Sequence, residues 1–200
     1  MTARAGRHLD AAEVLRGYRQ LRSDRDRVLF GVQLLAGARI GEAVQLRIGD
    51  AFAVDGSVRQ FLDIRPAIAK RKIGGLIPIG PDLSELLQHY GPRLELQDLE
   101  APLVPSRKGG GFLHRSAGWR VIAGAFRRAR LEGASPHSLR RAFASILLQR
   151  GVRPDVLQTL MRHQSLRTTD HYIHEIKPFE LQAAVESLAF PLFSVALNTD

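Results

Sequence analysis

Pro136-His137-Ser138-Leu139-Arg140-Arg141-Ala142-Phe143-Ala144-Ser145-Ile146-Leu147-Leu148-Gln149-Arg150-Gly151 reads as one helix over 136–150. Leu139, Phe143, Ile146 and Leu147 follow the i, i+4, i+7, i+8 spacing of a buried stripe. His137, Arg140, Arg141 and Ala144 fall on the opposite face, with His137 and Arg140 one turn apart and pointing together. Gly151 stands where a left-handed residue ends the helix. The stripe calls for other helices to cover it, and the basic face calls for a cleft.

Upstream, Asp10-Ala11-Ala12-Glu13 has the form of a capping box and opens a helix bearing Val14, Leu15, Tyr18 and Leu21. Ser23 caps a strongly apolar helix that runs over 28–35 to Gly37 and should be central, because it is apolar nearly all round. A short helix carries Ala43, Val44 and Leu46. Between residues 51 and 80 the period changes. Strands are expected at 58–64 and 76–79, with Asp55-Gly56 and Gly74-Gly75 as turns, giving two or three antiparallel strands. Helices resume at 82–90, at 116–131 (Ser116 as cap; Trp119, Ile122 and Phe126 inward), at 154–162 and around Tyr172. An amphipathic helix begins near Phe179, followed by the apolar segment 188–197. The expected fold is mainly α with a small antiparallel β-sheet, an α+β domain spanning 1–200.

Composition narrows the function. There are no cysteines, which excludes disulfides, thiolate zinc sites and cysteine nucleophiles. No apolar run reaches membrane-spanning length, and the first residues, Met1 to His8, lack a signal peptide's apolar stretch; a cytoplasmic setting is expected. The net charge of +9 comes from basic residues scattered through folded segments, which favours nucleic acid over membrane as partner.

The chemistry centres on Tyr172, nine residues after His163 in Leu160-Met161-Arg162-His163-Gln164-Ser165-Leu166-Arg167-Thr168-Thr169-Asp170-His171-Tyr172. A tyrosine that attacks a phosphodiester makes a five-coordinate phosphorane, and guanidinium forks suit its non-bridging oxygens. Arg140 is one candidate. Arg39 is the other, released from a buried helix by the break in Gly37-Ala38-Arg39-Ile40-Gly41-Glu42. The phenol, with a pKa of about 10, needs a base or a positive field, and His137 and His163 supply either. The leaving alkoxide needs a proton, for which Lys70 in Ala69-Lys70-Arg71-Lys72-Ile73-Gly74-Gly75, on a β-turn, is placed. Each residue alone has an ordinary reading: Tyr172 as packing, the histidines as caps or core, Arg39 as an ion pair with Glu42, Lys70 to Lys72 as a solvated turn.

Taken together, these motifs resemble the catalytic domain of the tyrosine recombinases, the phage integrase family, over about residues 8–180. Gly37 to Arg47 resembles the family's first arginine box, and His137-Ser138-Leu139-Arg140 its second. His163 and Tyr172 resemble the histidine and nucleophile that close the site. Lys70 matches the β-hairpin lysine by its interval to Ile77-Pro78-Ile79, with Lys72 the competing register. Val104 to Gly110 is similar to the loop before the helix that enters the DNA groove. The resemblance implies that Arg39 and Arg140 clamp the scissile phosphate and that Lys70 protonates the 5′ oxygen. His137 and His163 assist, Tyr172 forms a 3′-phosphotyrosyl link, and Glu42 braces the first box. It makes Lys72, Arg107, Lys108, Arg115, Arg120 and Arg141 the expected DNA contacts. It implies neither metal nor nucleotide cofactor. The partners it implies are double-stranded DNA and further copies of the chain, a tetramer on DNA. The apolar tail docks either on a neighbouring copy or on its own domain.

Three departures stand out. Arg162 occupies the position where the family usually has glycine, where it either crowds the loop or contacts phosphate. Arg141 replaces a common histidine. Because the first box begins at residue 37, the usual N-terminal core-binding domain is expected to be missing, as in a cut-down chain or the short fimbrial phase-switch type. The expected activity is site-specific DNA recombination. A type IB topoisomerase-like relaxing activity and a catalytically inert DNA-binding relic are the alternatives.

Overall fold

Helix α2, Asp24–Leu35, is the axis of the molecule, capped by the Ser23 side chain. Nine of its twelve residues are buried, so helices cover it on several sides. A computed structural model describes residues 7–162 and 176–188. Around α2 pack α4 (Pro81–Tyr90), α5 (Arg115–Arg128) and α6 (Pro136–Gln149), with α1 (Ala11–Tyr18) laid across α5. The expected capping box of α1 is present, with the Asp10 carboxylate accepting from the Glu13 backbone N–H at 2.7 Å. Phe30 joins three helices. Its ring meets Tyr18 edge-on at 5.6 Å and Phe126 at 5.9 Å.

The sheet is smaller than its sequence signal. β1 (Phe61–Ile64) pairs antiparallel with β2 (Gly75–Pro78), in the register Phe61 to Pro78 and Ile64 to Gly75. Beyond that register Gln60 accepts one further bond from the Ile79 N–H at 2.9 Å, while Val58 forms an isolated bridge back to Phe52 around the Asp55-Gly56 turn. Gly75 therefore belongs to a strand rather than to the connecting turn. Lys70 does not sit on a tight β-turn either. The connection runs from 65 to 74 and contains one 3-10 turn, Lys70–Lys72, with Arg71 and Lys72 at φ 62° and 58°.

Three short elements complete the frame: α3 (Ile40–Ala43), α7 (Pro154–Met161) and α8 (Pro178–Glu186). α8 packs on β2 and α7, with Ala184, Val185 and Leu188 buried. Leu188 thus docks on its own domain; the rest of the apolar tail, the helix expected around Tyr172, and Tyr172 and His163 themselves lie outside the described residues.

Gly37 positions the site. Its φ is +58°, and a Cβ there would stand 2.7 Å from Phe143 Cδ1. Only glycine lets α2 approach α6 this closely while the chain turns left-handed toward Arg39.

Candidate active site

Arg39 is the N-cap of α3, in extended backbone, and Glu42 lies three residues on, inside the first turn. The Glu42 carboxylate is 2% exposed and fully engaged. Oε1 accepts from Arg39 Nη1 at 2.8 Å. Oε2 accepts from the Arg39 backbone N–H at 2.8 Å and from Arg162 Nη2 at 2.8 Å. Burial pushes the Glu42 pKa up, but Arg162 and the Arg39 donors outweigh it, so the group stays below its ordinary value and ionised. A buried carboxylate is tolerable only with partners of this kind.

Arg140 reaches the same region from α6. Its guanidinium donates to the carbonyls of Gly37 and Met161, tying the end of α2 to the last residue of α7. Of the expected stripe, Leu139, Phe143 and Leu147 are buried and Ile146 is half-buried, while His137 and Arg141 on the other face are exposed. Arg140 on that same face is nevertheless only 3% exposed, its guanidinium held by those two chain ends. Burial and the nearby Arg39 and Arg162 pull its pKa down to about 9, which leaves it charged at neutral pH. His137, in the first turn of α6, has its pKa lowered by burial and by Arg140, Arg141 and Arg39. It is a neutral imidazole near pH 7, able to accept a proton.

Arg39, Arg140, His137 and Lys70 line one open cleft of about 870 Å³. Lys72 is not among its lining residues. Arg115 and Trp119, from the start of α5, form another wall. Trp119 was expected inward and is instead 48% exposed. Its face is the right one, continuous with the buried Ile122 and Phe126, but at this end α5 overhangs the cleft rather than the core. The cap of α5 is His114 rather than Ser116. Arg120 and Arg141 are exposed. Arg107 is exposed but tethered to Asp26 at 3.2 Å, fixing a loop on which Lys108 stands exposed.

Arg162 does not stand free for a phosphate, and the loop it was expected to crowd lies outside the described residues. It ends α7 in left-handed backbone, φ 50° and ψ 48°, with its side chain 4% exposed and turned onto Glu42. Sequence spacing carries no signal for this contact between residues 120 positions apart. Among the described residues, no cluster of three His, Asp, Glu or Cys groups is close enough to hold a metal ion, and no helix is long and apolar enough to cross a membrane. A cleft lined by three arginines, a lysine and a histidine suits a phosphate diester.

These features are those of a known family. The phage integrase family profile matches residues 7–177, and the chain belongs to that family. The tyrosine recombinase XerD of Corynebacterium glutamicum is 33% identical over 155 residues, covering 75% of this chain and 48% of that protein. The XerD of Haemophilus ducreyi is 32% identical over 162 residues, covering 76% and 51%. The chain therefore spans about half the length of the curated relatives it matches. Among solved structures, the integrase from mycobacterium phage Brujita aligns with a TM-score of 0.71 at 22% identity, over 94% of this chain and 60% of that one. The XerA recombinase aligns at 0.68 and 22%, over 90% and 62%. At these identities the likeness to solved structures is one of fold.

Proposed function

We propose that the chain is the catalytic domain of a site-specific DNA recombinase that cleaves and rejoins duplex DNA through Tyr172. The observation that carries this reading is the convergence of Arg39, Arg140, His137 and Lys70 on one cleft, with Glu42 behind Arg39. In the proposed step the Tyr172 oxygen attacks the scissile phosphorus, the P–O5′ bond breaks, and Lys70 gives its proton to the 5′ oxygen. Arg39 and Arg140 hold the non-bridging oxygens as their charge grows. His137, neutral before the step, takes the phenolic proton or passes it on, and His163 assists from the nucleophile's side. The 3′-phosphotyrosyl ester retains the energy of the broken bond, so resealing needs no nucleotide, and these side chains supply the charge that a metal would otherwise bring.

Double-stranded DNA is the proposed partner, met in the cytoplasm, with Arg115, Arg120, Arg141, Lys72, Arg107 and Lys108 as phosphate contacts. Solved relatives of the same fold include a lambda integrase tetramer bound to a Holliday junction, which supports assembly of several copies on DNA. Residues beyond Leu188 are the proposed link between copies. The direct test is incubation with a nicked suicide duplex, from which the short 5′ fragment diffuses away. A covalent protein–DNA adduct is the expected result. Binding without adduct would favour an inert DNA-binding protein, and relaxation of supercoiled plasmid without recombinant product would favour a topoisomerase.

A further inference from the structure

Arg162 meets two energetic obstacles. Its backbone is left-handed, a conformation unfavourable for a residue with a Cβ. Its guanidinium is taken out of water, with the side chain only 4% exposed. Glycine would avoid both. Three contacts accompany the arginine. Its stem runs along β2, where a Cβ on Gly75 would lie 3.4 Å from Arg162 Cδ. Nη1 donates to the Leu160 carbonyl at 3.2 Å, near the end of α7, and Nη2 donates to Glu42 Oε2 at 2.8 Å. Nε has no partner among the described residues. Among the described residues the carboxylate that Arg162 meets is Glu42, which also holds Arg39, and the like charges of Arg39 and Arg140 stand nearby.

We infer that Arg162 is a positioning residue that acts through Glu42 to keep the Arg39 guanidinium available to the scissile phosphate. A carboxylate free to turn would take an adjacent guanidinium as a two-pronged fork, consuming a second donor nitrogen. In this structure Oε2 is already occupied by Arg162 and the Arg39 backbone, so Glu42 engages the Arg39 side chain through Nη1. Among the described residues no acceptor engages Nη2 or Nε of Arg39, which leaves them for substrate oxygens. The same contact fixes the end of α7 against the start of α3, so the two sides of the cleft share one ionic joint.

This inference rests on the strand-cleavage reading. The test uses the full chain with Arg162→Gly, which accepts the left-handed backbone, and Arg162→Lys, which keeps the charge but loses the fork. Single-turnover adduct formation on the nicked duplex is measured against DNA concentration, giving the rate at saturation and the apparent Kd separately. Arg162→Gly should lower the saturated rate by about tenfold to a hundredfold while leaving Kd nearly unchanged, since a misplaced clamp acts on the step itself. Arg162→Lys should recover part of the loss. In a Glu42→Gln background, adding Arg162→Gly should cost much less than it does alone, because both act through one contact. A near-wild-type saturated rate in Arg162→Gly would overturn the inference, as would an effect confined to Kd or an undiminished effect in the Glu42→Gln background. If Arg162→Gly does not fold, a wild-type saturated rate in Arg162→Lys overturns it equally, because the fork is the feature invoked. An unmodified protein that forms no adduct would instead bring down the strand-cleavage reading, and this inference with it.

Discussion

Glu42 is the residue on which the site's ionisation turns. Burial raises its pKa, Arg162 and Arg39 lower it further, and the net value lies below the ordinary 4.5. A depressed carboxylate contributes stability in full above its unfolded pKa and loses it as pH falls through the lower folded value. The melting temperature of the unmodified protein should therefore drop more steeply below pH 4.5 than that of Glu42→Gln. At neutral pH the same substitution should cost roughly 3–5 kcal/mol, because it leaves buried guanidinium charge without its partner. Thermal melts of both proteins across pH check the two statements, and parallel curves would show that Glu42 is not the group that titrates. Lys70 carries a second prediction. A substrate with a 5′-bridging sulfur leaves without protonation, so it should restore cleavage by Lys70→Ala. Restoration of Lys72→Ala instead would move the acid to the residue that the cleft does not include. Arg39, His137 and Arg140 were legible in the sequence because local pattern exposes them, through a glycine break in one case and a helical face in the other. The partnership of Arg162 with Glu42 was not, since it exists only once α7 has folded against α3.

Among the elements, helix identity followed from periodicity and capping, while faces and strand lengths depended on neighbours. The capping box of α1 and the glycine ends of α2 and α6 were visible directly, because caps are local chemistry. β1 begins at Phe61 rather than at 58, because Val58 and Arg59 pair with residues 51–52 instead, the Arg59 N–H donating to the Ala51 carbonyl at 2.8 Å. α5 separates the two kinds of information most clearly. Trp119 and Phe126 share a helical face, yet one overlooks the cleft and the other is sealed among Phe30 and Gly17. Phe126→Ala should therefore cost about 3–5 kcal/mol, whereas Trp119→Ala should cost under about 1 kcal/mol. Denaturant titration measures both. Similar losses would mean that Trp119 is a core residue after all.

For the whole molecule, the excess of 29 Lys and Arg over 20 Asp and Glu is not spread evenly in effect. Arg25, Arg27, Arg65 and Arg153 are engaged by carboxylates, while exposed Arg115 and Arg120 stand on the helix that walls the cleft. Binding to duplex DNA should accordingly weaken steeply with salt, by a log–log slope of about 0.9 for each phosphate neutralised. Titrations at several salt concentrations give that slope, and salt-insensitive binding would argue against phosphate-led recognition. Net charge and the ordered motifs made DNA legible as the proposed partner; the wall that α5 builds beside the cleft needed the folded chain. The most direct measurement is the chemical identity of the protein–DNA bond. The adduct trapped on a nicked duplex is digested with protease, and the DNA-bearing peptide is sequenced by mass spectrometry. The account predicts a 3′-phosphate ester on Tyr172, with no adduct formed by Tyr172→Phe although that variant still binds DNA. Attachment at any other residue, a 5′ linkage, or an adduct persisting in Tyr172→Phe would contradict it.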